Sequence, residues 1–184
     1  MLCLTLLRLT FFTSRLNNQV PKYISWKCGP DGWAVDAMLA DWTSLDRMYA
    51  FPPFSLLPAV FQKMDREKVD ILVVLPLWRT QSWWPHMLLD LVDTPVVLDH
   101  HKQILRHPQY PDVQHPLFPK TKLLACLLSG NASKSKAFRA SLPLSSSLPG
   151  DQRQGSRMKL FSENGYNFVI ENKSIACVPL SQRF

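Results

Sequence analysis

Residues 70 to 76 read Asp-Ile-Leu-Val-Val-Leu-Pro, a continuous apolar run rich in β-branched side chains, with an acid at one end and a proline at the other. Such a run has no polar face. It therefore predicts a strand buried on both sides, the situation of a parallel sheet covered by helices. The residues around it fit that setting. Residues 56 to 68 place Leu57, Val60, Phe61 and Met64 on one helical face, while Gln62, Lys63, Asp65 and Arg66 take much of the other. Residues 83 to 92 predict a second helix with Pro85 in its first turn, and residues 95 to 98 a further strand. Upstream, residues 2 to 12, 23 to 26 and 48 to 51 read as strands, the last stopped by Pro52 and Pro53. Residues 13 to 19 and 28 to 32 read as loop and turn, and residues 34 to 40 as weakly helical or irregular. Strand and helix alternation predicts an α/β domain over residues 1–98, with a mainly parallel sheet and flanking helices.

Beyond residue 98 the pattern changes. Residues 99–157 read as a connector rich in Pro, Ser and Lys, with one short apolar segment at 120 to 128. Residues 158–184 read as a small antiparallel β meander, with strands at 159 to 163, 166 to 171 and 174 to 178 and a hairpin turn at Asn164-Gly165. Charge divides along the chain as well. Residues 1 to 119 hold 11 Lys and Arg against 11 Asp and Glu, and residues 120 to 184 hold 10 against 3, so the whole net charge of +7 lies in the second part. A basic segment of this kind meets a polyanion such as nucleic acid, or serves as a solvated linker.

Several classes are excluded. The longest uncharged apolar run, residues 71 to 78, is far short of the ~20 residues that span a bilayer, so no membrane partner is expected. The apolar start has no basic leading region, carries Arg8 in its middle and has no small-residue cleavage site before Arg15, which predicts a buried strand in an intracellular protein rather than a signal peptide. Cys3, Cys28, Cys126 and Cys177 form no close pair and indicate neither a zinc site nor a disulfide framework. His100, His101, His107 and His115 lack metal-ligand spacing, so no metal is expected. Asn131-Ala132-Ser133 and Asn172-Lys173-Ser174 match the glycosylation pattern, which has no meaning inside a cell.

The motif that carries chemistry is Phe51-Pro52-Pro53-Phe54, after a strand and before a helix. It resembles the motif of amino-methyltransferases, in which Asp, Asn or Ser precedes two prolines and an aromatic residue. That resemblance implies that the first side chain and the proline carbonyl grip the target amine, and that the final ring stacks on a flipped base. Thr13 to Asn17, Tyr23, Asp36-Ala37, Asp41-Trp42, Val73 to Pro76 and Thr80 to Trp84 stand in an order similar to that of the phage-type Dam DNA adenine methyltransferases, over roughly residues 9 to 98. A longer run resembles the methyltransferase-like segment of DIRS-type tyrosine-recombinase retrotransposons, which lies between RNase H and recombinase domains. It comprises Thr10 to Gln19, Ser25-Trp26, Val35 to Met38, Trp42 and Tyr49 to Leu57, with His115-Pro116-Leu117 and Leu128 to Asn131 beyond it.

The resemblance implies a Rossmann-like fold, remnant cofactor-site positions at Thr10, Thr13, Asn17 and Asp36, and the other domains of a polyprotein as neighbours. Two departures stand out. Thr10 occupies a position where the Dam pattern has an acid, and Phe51 replaces the amine-gripping Asn with a side chain that has no acceptor. The expectation is a catalytically decayed domain that uses no cofactor, with an active enzyme using S-adenosylmethionine as the alternative. Phe54, Trp83, Trp84, Lys134, Lys136 and Arg139 are the candidate nucleic-acid contacts. The plainer reading of the two tryptophans is that they are core aromatics, and of Asp36 and Asp41 that they are turn and cap residues.

Overall fold

A computed structural model describes residues 9–13, 22–25, 32–98, 121–145 and 166–180. The expected class is observed: a mixed α/β arrangement with a mostly parallel eight-stranded sheet and flanking helices, plus a two-stranded antiparallel sheet near the C terminus. The strands are β1 (Leu9–Phe11), β2 (Lys22–Ser25), β3 (Ala34–Val35), β4 (Met48–Ala50), β5 (Asp70–Pro76), β6 (Val96–Leu98), β7 (Leu123–Ser129), β8 (Asn167–Ile170), β9 (Lys173–Ala176) and β10 (Val178–Pro179). The large sheet runs β10-β6-β7-β5-β4-β1-β2-β3, and within it only β7 is antiparallel to its neighbours β5 and β6.

Three helices, α1 (Leu57–Glu67), α2 (Trp84–Leu89) and α3 (Ala132–Ser141), accompany the sheet. Their apolar side chains pack with alternate strand residues, among them Phe11, Ile24, Met48, Val73 and Cys126, in one core cluster. The opposite face carries Val74, Val96, Leu123 and Ala125. Burial on both faces is why β5 has the composition of a fully covered strand. A single 3₁₀ turn (Phe54–Leu56) leads into α1, where Pro58 sits in the first turn and so sacrifices no helical hydrogen bond. The helix ends at Lys68, in the left-handed region at φ 57°, whose N–H bonds back to the Met64 carbonyl.

Two expectations need correction, and a third is met in part of the expected range. Residues 34 to 40 form the short edge strand β3 and then a turn that opens at Asp36, where φ is 60°. The segment assigned to a connector, 99–157, supplies β7 in the middle of the sheet and then α3, so the sheet does not end at residue 98. Its Leu-Leu-Ala-Cys-Leu-Leu core resembles that of β5 in composition, but its distance from the other strands in sequence hid the pairing. At the C terminus the expected strands at 166 to 171 and 174 to 178 are observed as an antiparallel pair, and the chain beyond them returns to the large sheet. β8 and β9 form a hairpin turned at Glu171 and Asn172, both at positive φ, and β10 leaves it to join β6 in the large sheet. The Asn164-Gly165 turn lies outside the described residues.

The two sequon asparagines are local structural devices. Asn131 caps α3 by accepting the Ser133 N–H at 3.0 Å, and Asn172 makes the hairpin turn. Cys126 and Cys177 are buried free thiols, and burial raises both pKa values, that of Cys177 to about 12. No helix among the described residues is long and apolar enough to cross a membrane.

Candidate functional site

From β1 the chain builds outward through β2 to β3, then crosses back to β4 on the other side of β1. The direction of building reverses between β1 and β4, and in open α/β sheets the crevice beyond the carboxyl ends of such strands is where ligands bind. Phe12 and Thr13 follow β1 there, Phe51 to Phe54 follow β4, and Leu77 and Trp78 follow β5.

The Phe51-Pro52-Pro53-Phe54 motif lies at this edge. Phe51 is half-buried against the second cluster, Pro52 is buried and Pro53 is exposed. The Pro53 carbonyl accepts the Leu56 N–H at 2.8 Å to start the 3₁₀ turn. Phe54 is half-buried, 6.1 Å from the Phe51 ring and 5.0 Å from that of Trp78, the latter at an interplanar angle of 81°. Phe51, Phe54 and Trp78 thus form an aromatic ledge. It can stack on a flat ligand, but these three side chains bring no group that accepts an amine hydrogen or moves a proton.

Of the positions that the resemblance assigns to a cofactor site, Thr10 and Asp36 are taken up by the sheet and by a turn. Thr10 is inside β1, in register with Tyr23 and Tyr49, and its buried Oγ1 has no hydrogen-bond partner. Burial raises the pKa of Tyr49 to about 12, so this neighbour remains a neutral phenol. Thr13 is buried beside the crevice. Asp36 is committed to a turn, its Oδ1 accepting the Met38 N–H at 2.9 Å, and Asp41 does the same for Thr43. Asn17 lies outside the described residues, as do His100, His101, His107 and His115.

The six candidate nucleic-acid contacts are separated by the fold. Trp83 and Trp84 are buried, packed edge-on to Phe61 and Phe168 respectively, and present no outward stacking face. Lys134 pairs with Asp70 at 2.6 Å, at the amino end of β5 and so opposite to the crevice. Arg139 pairs with Glu171 at 3.1 Å and donates to the Leu89 carbonyl. Lys136 is exposed. Of the six, Phe54 is the half-buried ring of the ledge beyond β4.

Sequence reasoning passed over a polar triad between α1 and α2. His86 Nε2 lies 2.7 Å from Asp65 Oδ2 and 3.3 Å from Asp90 Oδ2, and one ligand atom from each residue falls within 4.8 Å of the others. Among the described residues this is the grouping whose donors could hold a metal ion. His86 and Asp90 are four apart on one helix face and were legible as a pair, whereas Asp65 arrives only by tertiary packing. Burial, then the Asp65 charge, raise the Asp90 carboxyl to about 6, against the pull of His86, Arg139 and Lys68.

A folded pKa above the ordinary 3.8 means that the native state holds the extra proton, so stability falls as pH rises from about 4 to about 6 and the penalty is complete above that window. Asp90→Asn removes the ionisation. Its melting temperature relative to the wild type is expected to rise between about pH 4 and about pH 7.5. Thermal unfolding at the two pH values checks this, and an offset independent of pH would count against it.

The fold and its crevice define a Rossmann-like α/β protein. No known family, no curated protein and no solved structure matches the chain.

Proposed function

We propose that this chain is a catalytically decayed, Dam-like methyltransferase domain of a retroelement polyprotein, retained as a nucleic-acid-contacting or spacer module. The observation that carries the reading is the junction of motif and topology. Phe51-Pro52-Pro53-Phe54 follows β4 beside β1, in a sheet ordered β3-β2-β1-β4-β5-β7-β6-β10 with β7 reversed. The motif thus follows a strand and precedes a helix at the carboxyl edge of the sheet, the setting that the resemblance to amino-methyltransferases implies. A fold alone carries no function, so the weight rests on the motif's position within it.

The residues do not fit S-adenosylmethionine well. Thr10 offers a buried hydroxyl where the related pattern has a carboxylate, and Asp36 is held in its own turn. Nor do they fit amine activation. Loss of a positioned hydrogen-bonding group costs ~2.7 to 4 kcal/mol in the transition state, a hundredfold or more in rate, and Phe51 supplies no such group. No reaction step is therefore assigned. The polyprotein reading carries with it neighbouring RNase H and recombinase domains and an intracellular setting.

The second reading is an active DNA N6-adenine methyltransferase with an atypical motif, and the observation in its favour is the Phe54 ring at the crevice. Incubation of the purified chain with radiolabelled S-adenosylmethionine and adenine-containing DNA separates the two. The expected incorporation equals that of a Phe54→Ala control. Incorporation clearly above the control overturns the decayed reading in favour of the active one.

A further inference from the structure

We infer that Trp78, Arg79, Lys122 and Tyr166 form a platform for single-stranded nucleic acid at the carboxyl edge of the sheet. This rests on the nucleic-acid-contact reading above and gives it a location, to which the basic part of the sequence contributes Lys122.

The platform is built by the end of β5. Pro76 closes that strand, and the Leu77 N–H donates to the Lys122 carbonyl at 2.9 Å, which fixes the next two residues beside the start of β7. Trp78 leaves the edge with 38% of its surface exposed, braced by its edge contact with Phe54. Arg79 extends over the β8 hairpin, its guanidinium 4.8 Å from the Phe168 ring centroid and 5.8 Å from that of Tyr166. The Lys122 ammonium stands 4.6 Å from the Tyr166 centroid and donates to the phenol oxygen.

The electrostatics distinguish these two cations from those of α3. Lys134 and Arg139 are each paired with a carboxylate, whereas neither Arg79 nor Lys122 has an acidic partner among the described residues. Both are held by aromatic rings, which orient a cation without neutralising it. A guanidinium held this way keeps its N–H donors for an external anion. Two oriented, uncompensated cations next to an exposed indole match a phosphodiester strand with an unstacked base, since the base stacks on the ring while the cations follow the backbone. A base inside a duplex would not reach Trp78, so the site selects single strands.

The test is fluorescence anisotropy of a labelled single-stranded oligonucleotide titrated with the full chain over a range of salt concentrations. Trp78→Ala is expected to weaken binding about 5- to 100-fold. Arg79→Gln with Lys122→Gln is expected to flatten the dependence of log K on log salt by about 1.4, the release expected for two phosphate contacts on a single strand. Lys136→Gln, at the far helix, is expected to leave affinity nearly unchanged. Because Arg79 also rests on the hairpin, Trp78→Ala and the single Lys122→Gln carry the test if circular dichroism shows the double variant to be unfolded.

Wild-type affinity retained by folded Trp78→Ala and Lys122→Gln overturns this site and leaves nucleic-acid contact elsewhere on the chain standing. Absence of any binding by the wild-type chain overturns both. Equal affinity for a duplex, or for adenosine monophosphate alone, overturns the single-strand assignment.

Discussion

Gly130→Ala is expected to destabilise the protein by about 3 kcal/mol or more, the upper range for overpacking where neighbouring backbone has to move. A methyl group at this position would meet the Met64 carbonyl oxygen at 2.1 Å, its carbon at 2.8 Å and the Asp65 Cα at 3.0 Å. These are backbone atoms, and no rotamer change relieves them. The Met64 carbonyl is also the acceptor that ends α1, taking the N–H groups of Lys68 and, at 3.4 Å, of Val69. On the other side, Gly130 is tied to the Val69 carbonyl at 2.9 Å, and Ser129 before it bonds to Asp70 at 2.5 Å. Relief would therefore have to tear the end of β7 from β5 or unwind the last turn of α1. Urea unfolding checks this as a lower midpoint at unchanged slope. A loss below about 1 kcal/mol would mean that the two elements slide apart freely.

Trp42→Ala is expected to cost about 3 to 5 kcal/mol, the range for removing a large buried aromatic. The ring is fully buried and stacked on Phe11 at 4.8 Å and 28°. Its Nε1 donates to the Ala37 carbonyl at 2.7 Å, and the buried Lys63 ammonium lies 5.2 Å from its centroid. The truncation opens a cavity, strands the Ala37 carbonyl and removes an aromatic neighbour from a buried cation, leaving Lys63 to its 2.5 Å pair with Glu67. Trp42→Phe restores much of the volume but not the donor, so it is expected to recover more than half of the loss. Equal destabilisation by both variants would assign the effect to the hydrogen bond instead of the packing.

What was legible before the structure follows the range of the signal. β5 and α1 were readable because a continuous apolar run and a helical period are properties of a few adjacent residues. Both ends of α1 fall within one residue of the expected 56 to 68, although Lys68 takes the left-handed conformation that a glycine would have announced. β7 was missed as a strand because nothing within residues 123 to 129 says that they return, reversed, between β5 and β6. Trp83 and Trp84 show the same limit. Their spacing allowed stacking or core, and only the packing of α2 against Phe61 and Phe168 made them core.

The candidate site divides in the same way. The sequence alone placed Phe51-Pro52-Pro53-Phe54 between a strand and a helix, and it alone settles that Phe51 carries no hydrogen-bond acceptor, because a phenylalanine lacks one in any fold. It also determined the class of the sheet, since alternating strands and helices have few ways to bury their apolar faces. Only the tertiary structure decided that this motif stands beside Trp78, that Lys134 and Arg139 are paired away from it, and that Arg79 and Lys122 are held on aromatic rings at its edge. The physical reason is that composition and period are written along the chain. Which charges are neutralised and which rings stay exposed depend on partners tens of residues away, brought together when strands pair across the sheet.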